Sequence, residues 1–328
     1  METVPTVILT AVLSFVLTGV ATVYSRRRGM LDHPGERHSH TIPTPTGGGA
    51  GLLAALLIVS LFVMSDVPPY WMYGVAPGAL VLGLTGWWDD HRPLSARFRF
   101  LVQVFATLYL LIIFQQMGVV REPVHMMAAA LFVLWMANLY NFMDGSDGMA
   151  GGQGVFAALV LAWLFHGAGE APSTLLSLAL AACCAGFLPW NLGRARVFMG
   201  DVGSVALGFV FAALLLFGVG AGAFSIPVAL MVMSVFLADS TLTLLLRVLK
   251  GERWYNAHRQ HVYQRLIANG RTHFQVLLLY QAINLALVLP AIAVAVQYPE
   301  SAWSVAAALA LALGSGWFLA IKKTGVLA

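Results

Sequence analysis

The chain reads as an all-α, polytopic integral membrane protein with about eleven transmembrane helices. Three observations predict this. Of its 328 residues, 59% are hydrophobic and only 10% charged, and the mean hydropathy is +0.82, far from the composition of a water-soluble chain. Apolar stretches long enough to cross a bilayer recur along the whole length. The basic residues also segregate, 17 of the 18 falling in alternate connections or the tail, which is the mark of cytoplasmic loops.

In order, the spans are expected at 4–24, 48–64, 71–88, 98–117, 124–142, 152–166, 172–190, 202–219, 224–248, 274–297 and 301–321. The first, Val4 to Tyr24, lacks a charged leading segment and a small-residue cleavage site, so it is predicted as a span and not a signal peptide. Connections after odd spans hold Arg26, Arg27, Arg28 and Arg37, then Arg92, Arg97 and Arg99, then Arg194 and Arg196. Six more basic residues lie between Arg247 and Arg271, and Lys322 and Lys323 end the last span. Connections after even spans hold only Arg121. The positive-inside rule then puts the amino terminus outside and the carboxyl terminus in the cytoplasm.

No soluble domain, low-complexity linker or internal repeat interrupts the pattern, so residues 1–328 are expected to form one domain. Cys183 and Cys184, adjacent in an apolar run, read as packed and not bridged. The net charge of +4 is weak evidence for nucleic acid, which is not expected as a partner; the lipid bilayer is.

Chemistry-bearing residues gather on the basic side. The densest stretch is NLYNFMDGSDGMAGGQG, residues 138–154. Asn138, Asn141, Asp144 and Asp147 stand three apart; on a helix each step of three drifts by about 60°, so the first three are expected to share an arc at a helix end. Gly145 and Gly148 would let the chain turn and carry Asp147 over the same spot. Amides and carboxylates beside free backbone N–H groups suit a hard cation and the phosphates it accompanies. Glycine alone would explain turning, but not two carboxylates at a membrane boundary.

Four other stretches share that side. Asp89 and Asp90 end a span; adjacent helical residues point about 100° apart, so they are expected to do different jobs. One would face a metal and the other an acceptor or a basic partner, unless the pair is a solvated boundary cluster. Arg97 and Arg99 would either balance their charge or bind a lipid phosphate. Leu31–Gly49 carries Arg37, His38 and His40, which either meet phosphate or form an ordinary basic loop; its Gly47–Gly49 run lets backbone approach a ligand or a neighbouring span. Pro189–Ser204 holds Asp201 at a helix start, as a metal ligand or a cap, with Phe198 offering a ring to a base and Arg194 and Arg196 charge to a diphosphate. His258 and His261 flank Arg259 as an anion-binding arm; no third soft ligand supports a zinc site. Asp239, inside a span, must face protein, either as a structural hydrogen-bonding group or touching the site.

With DD at 89–90, NLYNFMDGSDG at 138–148, FMGDVGS at 198–204 and HRQH at 258–261, the chain resembles the polyprenyl-phosphate N-acetylhexosamine-1-phosphate transferases. These include the phospho-MurNAc-pentapeptide translocase and the initiators of O-antigen synthesis. The resemblance covers nearly the whole chain. It implies that Asp201 and Asn141 hold Mg²⁺, or Mn²⁺, on the diphosphate of a UDP-N-acetyl amino sugar. Phe198 and Gly145 would sandwich the uracil, with Asp147 at its edge. Arg259, His258 and His261 would grip the diphosphate or sugar, and Arg99 would meet undecaprenyl phosphate beside Asp89 and Asp90. Asp144 joins the candidate catalytic group, and Asn138, Arg196, Arg37 and His40 the candidate substrate contacts. Thr46 stands where the first cytoplasmic loop is expected to carry a basic residue.

The reaction implied is transfer of a sugar 1-phosphate to undecaprenyl phosphate with release of UMP, at the cytoplasmic face of a bacterial plasma membrane. HRQH looks like the branch that starts O-antigen units on 6-deoxy amino sugars. Homodimers are common in the family, though no residue here establishes one. The rival reading, a carrier of nucleotide sugars or lipid-linked sugars, predicts polar groups at the midplane of several spans, where Asp239 is the only acidic residue.

Overall fold

The computed structural model describes residues 3–32, 43–64, 66–252 and 258–325. The first long helix, α1 (Thr3–Arg28), is followed by a two-residue strand, β1 (Leu31–Asp32), paired antiparallel with β2 (Thr44–Pro45). Then come α2 (Gly49–Ile58), α3 (Ala76–His91), α4 (Ala96–Gln116), α5 (Pro123–Phe142), α6 (Met149–Gly167), α7 (Ala171–Asn191) and α8 (Asp201–Gly220). Last are α9 (Ile226–Val232), α10 (Ser234–Leu249), α11 (Val262–Ala268), α12 (His273–Ile283), α13 (Leu289–Gln297) and α14 (Ala302–Thr324). The two strands only stitch the first connection together, and the fold is all-α.

Among the described residues, eight helical segments are long and apolar enough to cross a membrane, nine if α9 and α10, bent by 80° at their junction, count as one. Each of the eleven predicted stretches is helical, but the second passes only as a shorter apolar helix over Gly49–Phe62 and the third does not pass. Local chemistry sets the helix ends. Proline occupies the first turn of α5, α7 and α9, where its missing N–H costs nothing. The Ser95 hydroxyl caps α4 by accepting from the Phe98 N–H at 3.2 Å.

The burial pattern inverts that of a soluble bundle. On α1, Thr6, Thr10, Ser14, Thr18, Thr22 and Ser25 are buried at helix interfaces while Val4, Ile8, Val12, Val16 and Val20 are exposed. Small and hydroxyl side chains let backbones approach, and the Ser14 hydroxyl donates to the Cys183 carbonyl at 2.7 Å. Cys183 and Cys184 are free thiols buried in that packing. α8 is the pivot, packed against α2, α3, α5 and α6, and α14 lies largely exposed at the periphery.

Glycine sets the close crossing beside the first connection. A Cβ on Gly49 would lie 2.5 Å from the Gly203 Cα. The neighbouring backbones are zipped by hydrogen bonds from Phe198 N–H to the Pro45 carbonyl (2.8 Å), Gly48 N–H to the Phe198 carbonyl (2.9 Å) and Gly49 N–H to the Met199 carbonyl (2.8 Å). Of the two uses foreseen for Gly47–Gly49, approach to a neighbouring span is the one Gly48 and Gly49 serve. The zip draws the first connection and the FMGDVGS stretch to one end of the bundle.

Candidate active site

At that end lies a cleft of about 940 Å³ whose lining includes Asp90, Arg99, Asn141, Asp144, Gly145, Asp147, Phe198, Asp201, His258 and Arg259. They come from the ends of α3 and α5 and the starts of α4, α6, α8 and α11. These connections are the ones the charge pattern assigned to a single face. Arg121, the lone basic residue of the other set, lines an apolar pocket elsewhere with Val119 and Ile226.

The centre is a linked group of side chains. Asn141 Nδ2 donates to Asp201 Oδ1 at 2.8 Å and to the Ser204 hydroxyl at 2.9 Å. Arg99 Nη1 donates to Asp201 Oδ2 at 2.6 Å and to Asp89 Oδ2 at 2.8 Å. Asp201 opens α8 directly after Gly200, whose φ of 75° is left-handed. That turn aims the carboxylate across to α5.

The adjacent aspartates do part company. Asp89 accepts from Arg99 and from the Leu94 N–H at 2.6 Å, closing the turn after α3. Asp90 faces the cleft with its Oδ2 buried and without a hydrogen-bond partner. Burial, and next the Asp201 carboxylate, push the Asp90 carboxyl up to about 8. Asp144 is raised well above the usual carboxylate range by burial and by Asp201 and Asp90.

This donor set fits a hard divalent cation. An orphaned buried carboxylate oxygen and mutually repelling acids are relieved by positive charge. Among the described residues no three His, Cys, Asp or Glu side chains are grouped so that they could hold a metal ion between them. One or two protein oxygens with substrate phosphates and water suit Mg²⁺.

Other predicted residues fall at different distances from the centre. Asp147 Oδ2 accepts from the Ala195 N–H at 3.0 Å, and Oδ1 lies 3.6 Å from His273 Nδ1. With Phe198 it borders a second cleft of about 970 Å³, where Arg26, Arg194 and Arg196 lie. Asn138 is not at the centre: its Nδ2 donates to Gln103 Oε1 and the Leu134 carbonyl, both at 2.7 Å. One turn deeper than Asn141, it faces α4 and not α8. His261 is 2% exposed behind His258. Burial and then His261 hold the His258 imidazole down to about 3, so that ring is neutral beside the Arg259 guanidinium. Arg37 and His40 lie outside the described residues.

Four contributors escaped the sequence reading. Asn191 accepts from the Gly148 N–H at 2.7 Å and donates to the Val197 carbonyl at 3.0 Å, tying two motifs together. Ser204, His273 and Tyr263 support Asn141, Asp147 and Gly145 respectively. An amide in the PWN triplet was the only visible signal; a hydroxyl, an imidazole or a phenol elsewhere in an apolar chain announces nothing.

Residues 72–219, from the turn preceding α3 through α8, match the family model described as glycosyl transferase family 4. An undecaprenyl-phosphate alpha-N-acetylglucosaminyl 1-phosphate transferase of Salmonella typhi is 30% identical over 275 residues, covering 76% of this chain and 72% of the relative. The protein of that name from Yersinia pestis is 28% identical over 277 residues, covering 79% and 75%. A decaprenyl-phosphate N-acetylglucosaminephosphotransferase of Mycobacterium tuberculosis is 28% identical over 311 residues, covering 82% and 76%. With four motif stretches gathered at one end of an all-α bundle, and relatives matched over most of their length, the chain belongs to the polyprenyl-phosphate N-acetylhexosamine-1-phosphate transferase family.

Proposed function

We propose that the protein transfers an N-acetyl amino sugar 1-phosphate from a UDP-sugar to undecaprenyl phosphate at the cytoplasmic face of a bacterial plasma membrane, releasing UMP. One observation carries this reading: Asp201, Asn141 and Asp90 meet Arg99 and Arg259 in a single cleft. The HRQH segment further suggests the first membrane step of O-antigen synthesis on a 6-deoxy amino sugar.

Two anionic substrates must meet, so the leading requirement is positive charge held in place. Asp201 and the Asn141 side chain would hold Mg²⁺ or Mn²⁺, with Asp90 beside them. Bound there, such a cation would neutralise diphosphate charge and polarise the reacting phosphorus. Arg99, already oriented by Asp89 and Asp201, would receive the lipid phosphate. Arg259 would hold the donor diphosphate from the opposite wall. Phe198 offers its ring to the base, with Asp147 near the edge. An oxygen of the lipid phosphate attacks the sugar-side phosphorus, and UMP leaves. That phosphate, with a second pKa of about 6, is largely dianionic at neutral pH and needs no base. This assigns Asp90 to charge organisation and not proton abstraction.

The test is direct. Purified protein with Mg²⁺, undecaprenyl phosphate and a panel of radiolabelled UDP-N-acetyl amino sugars should move label into the lipid fraction and release UMP. Passage of intact UDP-sugar across protein-containing vesicles, without lipid labelling, would overturn the reading in favour of a carrier.

A further inference from the structure

Asp239 lies on α10, past the 80° break from α9, and is 4% exposed. Both of its carboxylate oxygens accept from two donors. Oδ1 takes the Val262 N–H at 2.8 Å and the Thr243 hydroxyl at 3.2 Å. Oδ2 takes the Tyr280 hydroxyl at 2.6 Å and the Tyr263 N–H at 3.3 Å. The two amides are the first of α11, immediately after HRQH, and Asp239 Oδ1 also faces His261 Nδ1 at 3.8 Å. A carboxylate buried at this depth is costly unless its acceptor sites are filled, and here they are.

What Asp239 holds reaches the cleft along two routes. Upstream of α11 the chain runs through His261 to Arg259 and His258, both of which line the cleft. Within α11, the Tyr263 hydroxyl donates to the Phe142 carbonyl at 2.9 Å and lies where a Cβ on Gly145 would fall. On the far side of the segment, Arg265 Nε donates to the Gln260 carbonyl at 2.8 Å. HRQH is therefore pinned at its end by Asp239 and from behind by Arg265, and the pin extends to the Asn141–Asp147 turn.

We infer that Asp239 is a positioning residue for the donor substrate: by fixing the start of α11 it sets where Arg259 meets the nucleotide-sugar diphosphate, without touching substrate itself. This rests on the donor-binding role proposed above for Arg259. Asp239→Asn keeps the volume but turns one acceptor into a donor facing donors. The expected result is a rise of several-fold, up to about tenfold, in KM for the UDP-sugar, with KM for undecaprenyl phosphate within about twofold. Thermal unfolding in detergent should be lowered by the donor that faces donors, while staying above the assay temperature.

A double-mutant cycle separates positioning from general damage. If Asp239 acts through Arg259, Asp239→Asn adds little to the KM defect of Arg259→Ala; independent, multiplicative defects overturn the inference. If Asp239→Asn is not recovered from membranes, Tyr280→Phe withdraws one of the four donors and enters the same cycle. Should Arg259→Ala leave donor KM unchanged, the role given to the arm fails. Should Arg259→Ala raise it while neither Asp239→Asn nor Tyr280→Phe does, only the positioning claim fails.

Discussion

The acidic wall of the cleft, built by α3, α5 and α8, is set by backbone contact, whereas the basic wall that carries Arg259 hangs on side-chain hydrogen bonds from α10 and α12. On the acidic side, Gly86 of α3 would meet the Asp201 carbonyl carbon at 2.5 Å if it carried a Cβ, and Gly49 meets Gly203 as closely. On the basic side, Val262 and Tyr263 are held by Asp239, itself braced by Tyr280. The acidic wall can be broken only at a helix crossing or at an acid itself. The basic wall can be loosened one bond at a time.

The largest expected effect falls on the acidic wall. Asp201→Ala removes the carboxylate that joins Asn141 and Arg99, and turnover should drop by about a thousandfold in the labelled-lipid assay with the fold intact. Near-normal turnover at saturating Mg²⁺ would remove Asp201 from the centre. Next, Gly49→Ala touches no reacting group but forces α2 from α8. It should cost about 1–3 kcal/mol, seen as a lowered unfolding midpoint with activity falling alongside. An unchanged midpoint would show that backbone contact does not set this wall.

The basic wall should respond more gently and more selectively. Arg259→Ala is expected to raise donor KM by about tenfold, equivalent to about 1.4 kcal/mol, while lipid-phosphate KM holds. Arg99→Lys should do the reverse, because an ammonium cannot span Asp89, Asp201 and a phosphate as a guanidinium fork does. Equal shifts in both constants for both variants would erase the division between walls.

The smallest effect concerns protons. An Asp90 carboxyl raised to about 8 in the folded protein holds its proton between about pH 4, the ordinary value, and pH 8. A cation held beside Asp90 would have to displace that proton, so metal binding would strengthen as pH rises through this window. The Mg²⁺ concentration for half-maximal activity should fall a few-fold per pH unit from about pH 6 to 8. Asp90→Asn should flatten that slope; an unchanged slope would acquit Asp90.

Much of this was readable before any folding. Apolar run length and the segregation of arginine are properties of the linear chain, because a bilayer demands them span by span. They identified the all-α class and the connections that meet at the cleft, and motif spacing brought attention to Asn141 and Asp201. Span number proved less legible: Gly49–Phe62 is short, since protein on its buried face relaxes the length lipid would impose.

What only the tertiary structure decided depends on how each helix is rotated and where a distant helix arrives. Nothing local says that Asn138 turns toward Gln103 while Asn141 turns toward Asp201, or that Asp90 and not Asp89 keeps an oxygen unpartnered in the cleft. Asp239 was visible as an acid misplaced in lipid, but its donors at Val262, Tyr263 and Tyr280 lie 23 to 41 residues away. Sequence sets which groups must avoid lipid; packing sets which neighbour each one finds.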